Sequence, residues 1–440
     1  MTRAPHTPPG PPVVGNVPRF ADDPLRFLVG VQEAYGGQYP VVRLEPAGGQ
    51  RIVVVLDAAL VHEILADRER FVRPRVGPEA SRREGLLSSR GPLWERQRSV
   101  IQPELVGGQL AAYADIAARS VEEMLDRWPE NGEIDLVAEL SMLTMQVIAR
   151  SLLGRDATRE QARTVYEALD TFAEEFEFGA DALLLPDALQ SGPSAAFERA
   201  DADLEAVARD FVDWHREHED PPDSMLTALI EAERDGVELS EDELIDQTVL
   251  FLTAGQETTA LTIAYAFHHL SRSPDVRAGV TEEATGVLDG AAPSWEHLSG
   301  FDLTERVVRE TLRLTPAAWN VTREVRGPTT LGGTRFETDD LVLLPTYAHQ
   351  REDRVWGDGD AFRPARWTDE VSRSHDSYFP FGSGPRVCIG RQVALTEAQF
   401  TLAHTLQQYE VDVHGDELAF EPAITLRPAD GLRATVTERE

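Results

Sequence analysis

The chain has 440 residues, 42% of them hydrophobic, which is enough apolar material for a large buried core. It carries 76 acidic and 42 basic residues, a net charge of −34, and every basic residue is an arginine. No basic patch is available to neutralise phosphates, so the sequence predicts no nucleic-acid partner. No run of 18 or more apolar residues occurs and the N-terminus lacks an apolar signal segment, which predicts a cytoplasmic protein without a membrane span.

The excess of carboxylates predicts adaptation to a salt-rich cytoplasm. At ordinary ionic strength a net charge of −34 repels itself and loosens the compact state. At about 1 M salt the screening length falls to roughly 3 Å, and this repulsion largely disappears. We therefore expect a halophilic protein.

The first elements in chain order are a proline-rich entry and a hairpin. Residues 8–18 are rich in proline, which removes backbone donors and excludes both helix and central strand. The apolar runs at 40–44 and 51–56 flank a short segment with one proline and two glycines. This arrangement predicts two strands joined by a turn.

Helical periodicity dominates from about residue 57 to residue 280. Short β-like segments return at Thr330–Leu344 and Ile424–Val436, with a glycine- and proline-rich passage at 357–390 between them. There is no internal repeat and no low-complexity linker. The pattern predicts a mainly α protein with small β-sheets towards both ends of the sequence.

One helix in this region begins after a Gly-Pro-Leu segment and carries Trp94 and Arg98. Their spacing of four residues aims an indole N–H and a guanidinium in one direction. Most arginines are solvated surface charges, so the spacing of Trp94 and Arg98 alone does not indicate a binding site.

A longer helix is predicted from Ser240. Ser240 and Glu243 form a capping box, and the apolar pattern continues to about His269, which gives about 30 residues and roughly 45 Å. A helix of this length must run through the core. Near its middle, Gly255 costs about 1 kcal/mol against alanine, and the hydroxyl of Thr258 can bond to the carbonyl one turn back. The alternative is that this polar stretch faces solvent.

Another helix, which ends before Pro316, carries Glu310 and Arg313 three residues apart, so that both lie on one face and can pair. Such pairs are common on surface helices and contribute little there. The spacing alone is therefore weak evidence for a buried interaction.

The only cysteine, Cys388, cannot form an internal disulfide, and the commonest fate of a lone cysteine is burial in the core. Three glycines and a proline between residues 382 and 390 favour a tight turn whose backbone a flat ligand can approach closely. A good helix start follows at Arg391. We therefore expect the helix N-terminus to lower the pKa of the thiol.

The segment around the cysteine resembles the cysteine-loop signature of cytochromes P450 at every position: Phe381-x-x-Gly384-x-Arg386-x-Cys388-x-Gly390. Two further runs typical of that family, Ala254–Thr259 and Arg309–Pro316, occur in the expected order. The resemblance covers nearly the full chain. It implies a single domain over residues 1–440 with the cytochrome P450 fold, mainly α with small β-sheets, entered through the proline-rich segment at about 1–20.

The resemblance also implies a cofactor and a site. Haem b would lie between the long helix and the cysteine helix, with Cys388 as the axial ligand of the iron. Thr258 would hold the bound dioxygen and its water, and Glu257 would help to relay protons. The residues expected to contact the haem or its propionates are Trp94, Arg98, Ala254, Gly255, Arg323, Phe381, Arg386 and Gly390. The residues expected to form a buried structural triad are Glu310, Arg313 and Arg366.

The implied reaction inserts one oxygen atom of O2 into an organic substrate, with electrons from NAD(P)H delivered by a separate ferredoxin-type donor and its reductase. Phe172, Phe176, Phe178 and the apolar run at 183–186 predict a pocket for a small apolar molecule, lipid- or terpenoid-like, unless they simply pack in the core. Two alternatives stay open. One is a peroxygenase or isomerase that uses the same haem, and the other is a haem-binding protein without turnover.

Overall fold

The computed structural model describes residues 5–10, 15–44, 51–74, 83–175, 193–368 and 375–439. The α-helices are α1 Val17–Asp22, α2 Pro24–Tyr35, α3 Ala58–Ala66, α4 Gly91–Ile101, α5 Gln109–Leu125, α6 Leu136–Leu152, α7 Arg159–Glu175, α8 Ala195–Glu217, α9 Met225–Arg234, α10 Glu241–Ser271, α11 Pro274–Leu288, α12 Asp302–Leu314, α13 Thr346–His349, α14 Asp353–Trp356 and α15 Arg391–Gln408. The strands are β1 Val41–Leu44, β2 Ile52–Val55, β3 Phe71–Val72, β4 Asn131–Asp135, β5 Val321–Val325, β6 Thr329–Leu331, β7 Thr334–Phe336, β8 Leu341–Leu344, β9 Tyr409–Val413, β10 Phe420–Pro422, β11 Leu426–Pro428 and β12 Arg433–Glu438. Among the described residues, none of the helices combines the length and the hydropathy that a bilayer span needs.

The strands form small sheets that flank the helices. The largest sheet has the order β1-β2-β8-β5-β3, and the others are β4-β12-β9, β10-β11 and β6-β7. The predicted hairpin is confirmed, since Val41 pairs with Val55 and Leu44 pairs with Ile52 in an antiparallel register. Its connecting residues, 45–50, lie outside the described residues. The prediction of a mainly α protein with small β-sheets is therefore correct.

Two details of the predicted pattern are wrong. Helix α1 begins at Val17, inside the segment from which helix was excluded. Pro18 is tolerated because it stands in the first turn, where its missing N–H has no intrahelical partner to lose. Strand β4 interrupts the predicted helical region, and its residues have no apolar alternation. It exists because Ile134 and its neighbours pair with β12, which is about 300 residues away in sequence.

Helix α10 crosses the core from Glu241 to Ser271 and is buried on most sides. Its N-terminus has the predicted capping box: the Glu243 N–H donates to Ser240 Oγ at 3.1 Å, and the Ser240 N–H donates to Glu243 Oε2 at 2.7 Å. Helix α6 packs along it, and the Thr144 hydroxyl donates to the Gln256 carbonyl oxygen at 2.9 Å. The helices α10, α12 and α15 meet in one hydrophobic core. The assignment of residues 1–440 to a single domain stays a prediction.

Candidate active site

A cavity of about 460 Å³ lies between helix α10 and the segment around Cys388. Helix α10 lines it from Leu250 to Thr262, and the cysteine segment lines it from Pro380 to Leu395. Further lining residues come from the helices α4, α5, α6, α7 and α12, from the segment before α4, from residues 317–323 and from the hairpin β10-β11 with its turn. Two parts of the chain that are more than a hundred residues apart thus face one space.

The segment before α15 presents the cysteine. Gly382 and Gly384 adopt positive φ angles of 70° and 69°, which side chains rarely accept. A Cβ on Gly384 would lie 2.6 Å from the carbonyl oxygen of Leu65 in α3, so this glycine also allows close packing. The Cys388 N–H donates to the Phe381 carbonyl oxygen at 2.9 Å, which closes the turn. Cys388 is enclosed by protein, yet it has open surface and lines the cavity.

The expectation of a lowered thiol pKa is wrong for the polypeptide alone. Burial raises the pKa of Cys388, and the opposing contributions of the Gly390 N–H, Arg98 and Arg391 are smaller. Desolvation is the largest contribution because protein encloses the sulfur, and the charges of Arg98 and Arg391 lower the pKa by less than burial raises it. A coordinating metal ion reverses this balance, because it deprotonates the thiol outright.

Helix α10 contributes the other polar groups near this space. Ala254 lies in a buried helix but is exposed, because its surface opens on the cavity. The Thr258 hydroxyl donates to the Ala254 carbonyl oxygen at 2.9 Å, the bond expected from the sequence. Gly255 serves a second purpose: a Cβ there would lie 2.7 Å from Cδ1 of Ile148, so the missing side chain also lets α6 approach α10.

The carboxylate of Glu257 is held by two groups that the sequence analysis missed. It forms an ion pair with Arg427, and its Oε2 accepts a hydrogen bond from the Thr425 hydroxyl at 2.8 Å. All three residues line the cavity. Arg427 also pairs with Asp170 of α7 at 2.8 Å. No local signal marks Arg427 or Thr425, because they reach Glu257 only through the folding of the C-terminal hairpin.

Arginines gather at one end of the cavity. Arg98, Arg323 and Arg386 line it as the resemblance implies, and Arg73, which the sequence analysis missed, joins them. Among the described residues, no carboxylate pairs with any of the four. Arg73 stands in an arginine-rich stretch and carries no signal of its own.

These arginines repel one another. Burial lowers the pKa of Arg323 to about 9, with Arg73 and Arg386 contributing. Burial likewise lowers the pKa of Arg386 to about 10, helped by the same kind of repulsion. The Arg386 guanidinium lies 4.6 Å from the ring centre of the buried Trp94, which also lines the cavity. A cluster of this kind favours an anionic ligand.

The triad lies outside the cavity lining. Glu310 and Arg313 are fully buried and form a bidentate pair with distances of 3.0 and 2.9 Å. Arg366 Nε donates to Glu310 Oε1 at 2.8 Å. The Arg313 guanidinium also donates to the Gln350 carbonyl oxygen at 2.7 Å, and Gln350 Oε1 accepts from the Phe379 N–H at 3.2 Å. The ion pairs thus connect α12 to the start of the cysteine segment.

A second polar pair that the sequence analysis missed lines the cavity from α5 and α15. The Tyr113 hydroxyl donates to the carboxyl group of Glu397, and both residues are buried. Burial raises the pKa of Glu397 to about 8, against the opposing effect of this hydrogen bond. Glu397 follows Cys388 by nine residues, but nothing in its local sequence announces a buried acid.

The site fits a haem. Within the described ranges, no cluster of histidine, cysteine, aspartate and glutamate could hold a metal ion by side chains alone. A metal bound at Cys388 therefore needs further ligands from a cofactor, such as the nitrogens of a porphyrin. The unpaired arginines match two propionates, and the small residues of α10 leave room for a flat ring.

Comparison with known proteins agrees with this geometry. The family model for cytochrome P450 matches residues 5–431. The chain is 30% identical over 416 residues to pentalenene oxygenase of Streptomyces avermitilis, covering 92% of this chain and 90% of the relative. It is 30% identical over 433 residues to cyclooctatin synthase of Streptomyces melanosporofaciens, covering 95% and 92%. The crystal structure of the cytochrome P450DA heme domain superposes with a TM-score of 0.85 at 24% identity, covering 100% of this chain and 99% of that one.

The fold and the cavity thus fit an oxidoreductase that uses haem iron. The chain belongs to the cytochrome P450 family and is a monooxygenase of that family.

Proposed function

We propose that the protein binds haem b through Cys388 and inserts one oxygen atom of O2 into an apolar organic substrate. The observation that carries this proposal is the shared cavity. It is lined by the cysteine, by Glu257 and Thr258, and by the arginines that pair with no carboxylate among the described residues. Arg73, Arg98, Arg323 and Arg386 would hold the propionates, and Ala254 and Gly255 would lie against the ring.

When bound, the haem supplies an iron whose cysteinate ligand favours cleavage of the O–O bond. The protein's own residues manage protons and water. Thr258 donates its hydroxyl proton to the Ala254 carbonyl oxygen, so its lone pairs stay free to accept a hydrogen bond from a water in the cavity. Glu257, which directly precedes Thr258 in α10, supplies a carboxylate that can exchange protons with such a water.

The substrate class follows from the cavity walls. Apolar side chains from the segment before α4, from α7 and from α10 line the cavity, among them Leu86, Leu87, Leu169, Phe172 and Phe251. Phe172 stacks on Phe197 with ring centres 4.7 Å apart, so this wall is firmly packed. The other residues expected there, Phe176, Phe178 and 183–186, lie outside the described residues. The similarity to pentalenene oxygenase and to cyclooctat-9-en-7-ol 5-monooxygenase supports a terpenoid-like substrate.

The electrons would come from NAD(P)H through a ferredoxin-type partner with its reductase. Arg391, at the start of α15, is exposed and lies three residues from the cysteine, which suits a docking face for an acidic protein. Arg386 faces the cavity instead and donates to the Ser89 carbonyl oxygen, so we assign it to the haem rather than to the partner.

The first experiment tests the sulfur ligand. The purified protein should bind haem, and its reduced carbon monoxide complex should have the absorption spectrum of a thiolate-ligated haem. Cys388→Ser should abolish that spectrum, whereas Ile389→Val, the adjacent control, should retain it. A histidine-type spectrum in the wild type, or an unchanged spectrum in Cys388→Ser, contradicts the proposal.

A second experiment separates the alternatives. A monooxygenase consumes NAD(P)H in the presence of substrate when a surrogate ferredoxin and its reductase are supplied. A peroxygenase turns over with hydrogen peroxide and gains nothing from the electron donor. An isomerase converts its substrate without either oxidant, and a haem-binding protein without turnover converts the substrate under none of these conditions. Pentalenene is a suitable first substrate, because a relative is named for it.

A further inference from the structure

The Glu257 side chain is turned towards the C-terminal hairpin. Its ion pair with Arg427 and its hydrogen bond from Thr425 involve both carboxylate oxygens, and both partners belong to the β10-β11 hairpin or its turn. The side chain is only 14% exposed, so few waters compete for it. One hairpin therefore determines where this carboxylate lies.

Arg427 has a second carboxylate partner on its outer side. Its Nη1 donates to Asp170 Oδ1 at 2.8 Å, and the Asp170 side chain is 49% exposed while that of Arg427 is 16% exposed. Burial alone would lower the pKa of Arg427, but Glu257 and Asp170 outweigh it and raise the pKa above its ordinary value. The guanidinium is thus a permanent positive charge between an inner and an outer carboxylate.

We infer that Arg427 is a positioning residue for oxygen activation, because its ion pair holds the Glu257 carboxylate in place beside the turn of α10 that carries Thr258. Because the pKa of Arg427 lies above its ordinary value, this guanidinium stays protonated and does not carry protons itself. It acts through Glu257, whose carboxylate it keeps ready to receive a proton from cavity water and to pass it on. The inference rests on the relay role proposed for Glu257 above.

The rival explanation is that the ion pairs only tie α7, α10 and the hairpin together. That explanation predicts a loss of stability or of substrate access, with every oxidant affected alike. The inference predicts a defect only where protons from solvent are required. Two oxidants separate these cases.

Styrene is a small apolar probe substrate that can be oxidised with either dioxygen or hydrogen peroxide. With dioxygen, styrene, O2, two electrons and two protons give styrene oxide and water, so two solvent protons enter each turnover. With hydrogen peroxide, styrene and H2O2 give styrene oxide and water, so no electrons and no net protons from solvent enter, because the peroxide brings both protons that leave in the water. A residue that acts only through proton delivery affects the first reaction and spares the second.

The experiment uses the haem-loaded protein, with a surrogate ferredoxin and reductase, and measures styrene oxide formed per NADH oxidised. Arg427→Gln should lower this coupling ratio about tenfold, while peroxide-driven epoxidation stays within about twofold. Arg427→Lys, which keeps a cation, should recover most of the coupling. Asp170→Asn is the matched control: it removes the outer ion pair, leaves the Glu257 pair, and should keep coupling within about twofold.

The double variant Glu257→Gln with Arg427→Gln should be no worse than Glu257→Gln alone, because Arg427 acts through that carboxylate. Additive losses, equal losses with both oxidants, or no rescue by lysine would overturn the inference. If Glu257→Gln itself leaves coupling unchanged, the relay role under the proposed function fails. If Glu257→Gln lowers coupling and Arg427→Gln does not, only the present inference fails.

Discussion

At the scale of single residues, Glu310 has the most completely satisfied charge of the described residues around the site. Its two oxygens accept hydrogen bonds from Arg313, from Arg366, from the Trp367 indole at 2.9 Å and from the Arg363 N–H at 2.9 Å. A buried carboxylate needs this many donors, since its desolvation costs several kcal/mol. The pattern makes Glu310 an anchor for the chain that leads to the cysteine segment.

Glu310→Gln should lower the free energy of unfolding by about 3–5 kcal/mol, because Arg313 would remain buried with no charged partner. Urea unfolding of the haem-loaded protein measures this. Glu305→Gln on the same helix is the control, since Glu305 pairs with Arg309 at 2.6 Å on a partly exposed face. That substitution should cost at most about 1 kcal/mol. Equal losses in the two variants would contradict the structural role of the triad.

At the scale of elements, α10 combines a strong start with a middle that contains poor helix formers. Glu243 takes part in both hydrogen bonds of the capping box with Ser240. It also pairs with Arg96 of α4 at 2.6 Å, so the start of α10 is joined to helix α4. In the middle, Gly255 and Thr258 are poor helix formers, and the Thr258 hydroxyl donates to the Ala254 carbonyl oxygen, yet the helix continues through both residues. The stabilised N-terminus thus offsets the poor helix formers in the middle of the helix.

Ser240→Ala should therefore lower the free energy of unfolding by about 1 kcal/mol, the usual cost of losing an N-cap. Thermal or urea unfolding detects this change. Ser99→Ala is the control, because the Ser99 hydroxyl donates only to the Arg96 carbonyl oxygen on an exposed face of α4. A stability of Ser240→Ala equal to that of the control would show that tertiary packing alone fixes the helix start.

At the scale of the whole molecule, the charge decides how the protein responds to salt. With 42 basic residues against 76 acidic ones, many carboxylates have no cation to pair with. Exposed acids such as Asp203, Glu282 and Glu417 have no ion-pair partner among the described residues. Their mutual repulsion is long-ranged at low salt and is screened at high salt.

We expect the melting temperature to rise by about 5 °C or more when KCl increases from about 0.1 M to about 2 M. A variant with Asp203→Arg, Glu282→Arg and Glu417→Arg reverses three of the negative charges, and it should depend less on salt. Differential scanning fluorimetry of the two proteins in parallel supplies the test. A melting temperature that falls with KCl, or the same dependence in both, would refute the expected adaptation to salt.

The sequence alone determined the fold class, the hairpin, the long helix with its cap and the cysteine turn, because each depends on neighbouring residues. Glycines at 382 and 384 or a capping box at Ser240 have the same meaning in any fold. Placement of Cys388 on the same cavity as Thr258 was predicted only through the family resemblance.

Tertiary structure alone decided the rest. Arg427 and Thr425 contact Glu257, Asp170 pairs with Arg427, and Arg73 joins the arginine cluster, yet each looks like an ordinary surface residue in sequence. The thiol pKa also went against the local expectation, since burial outweighs the helix terminus. The same physical reason applies to the partners of Glu257, to the arginine cluster and to the thiol pKa. Charge interactions depend on distance and desolvation in space, and neither quantity is encoded in the spacing of residues along the chain.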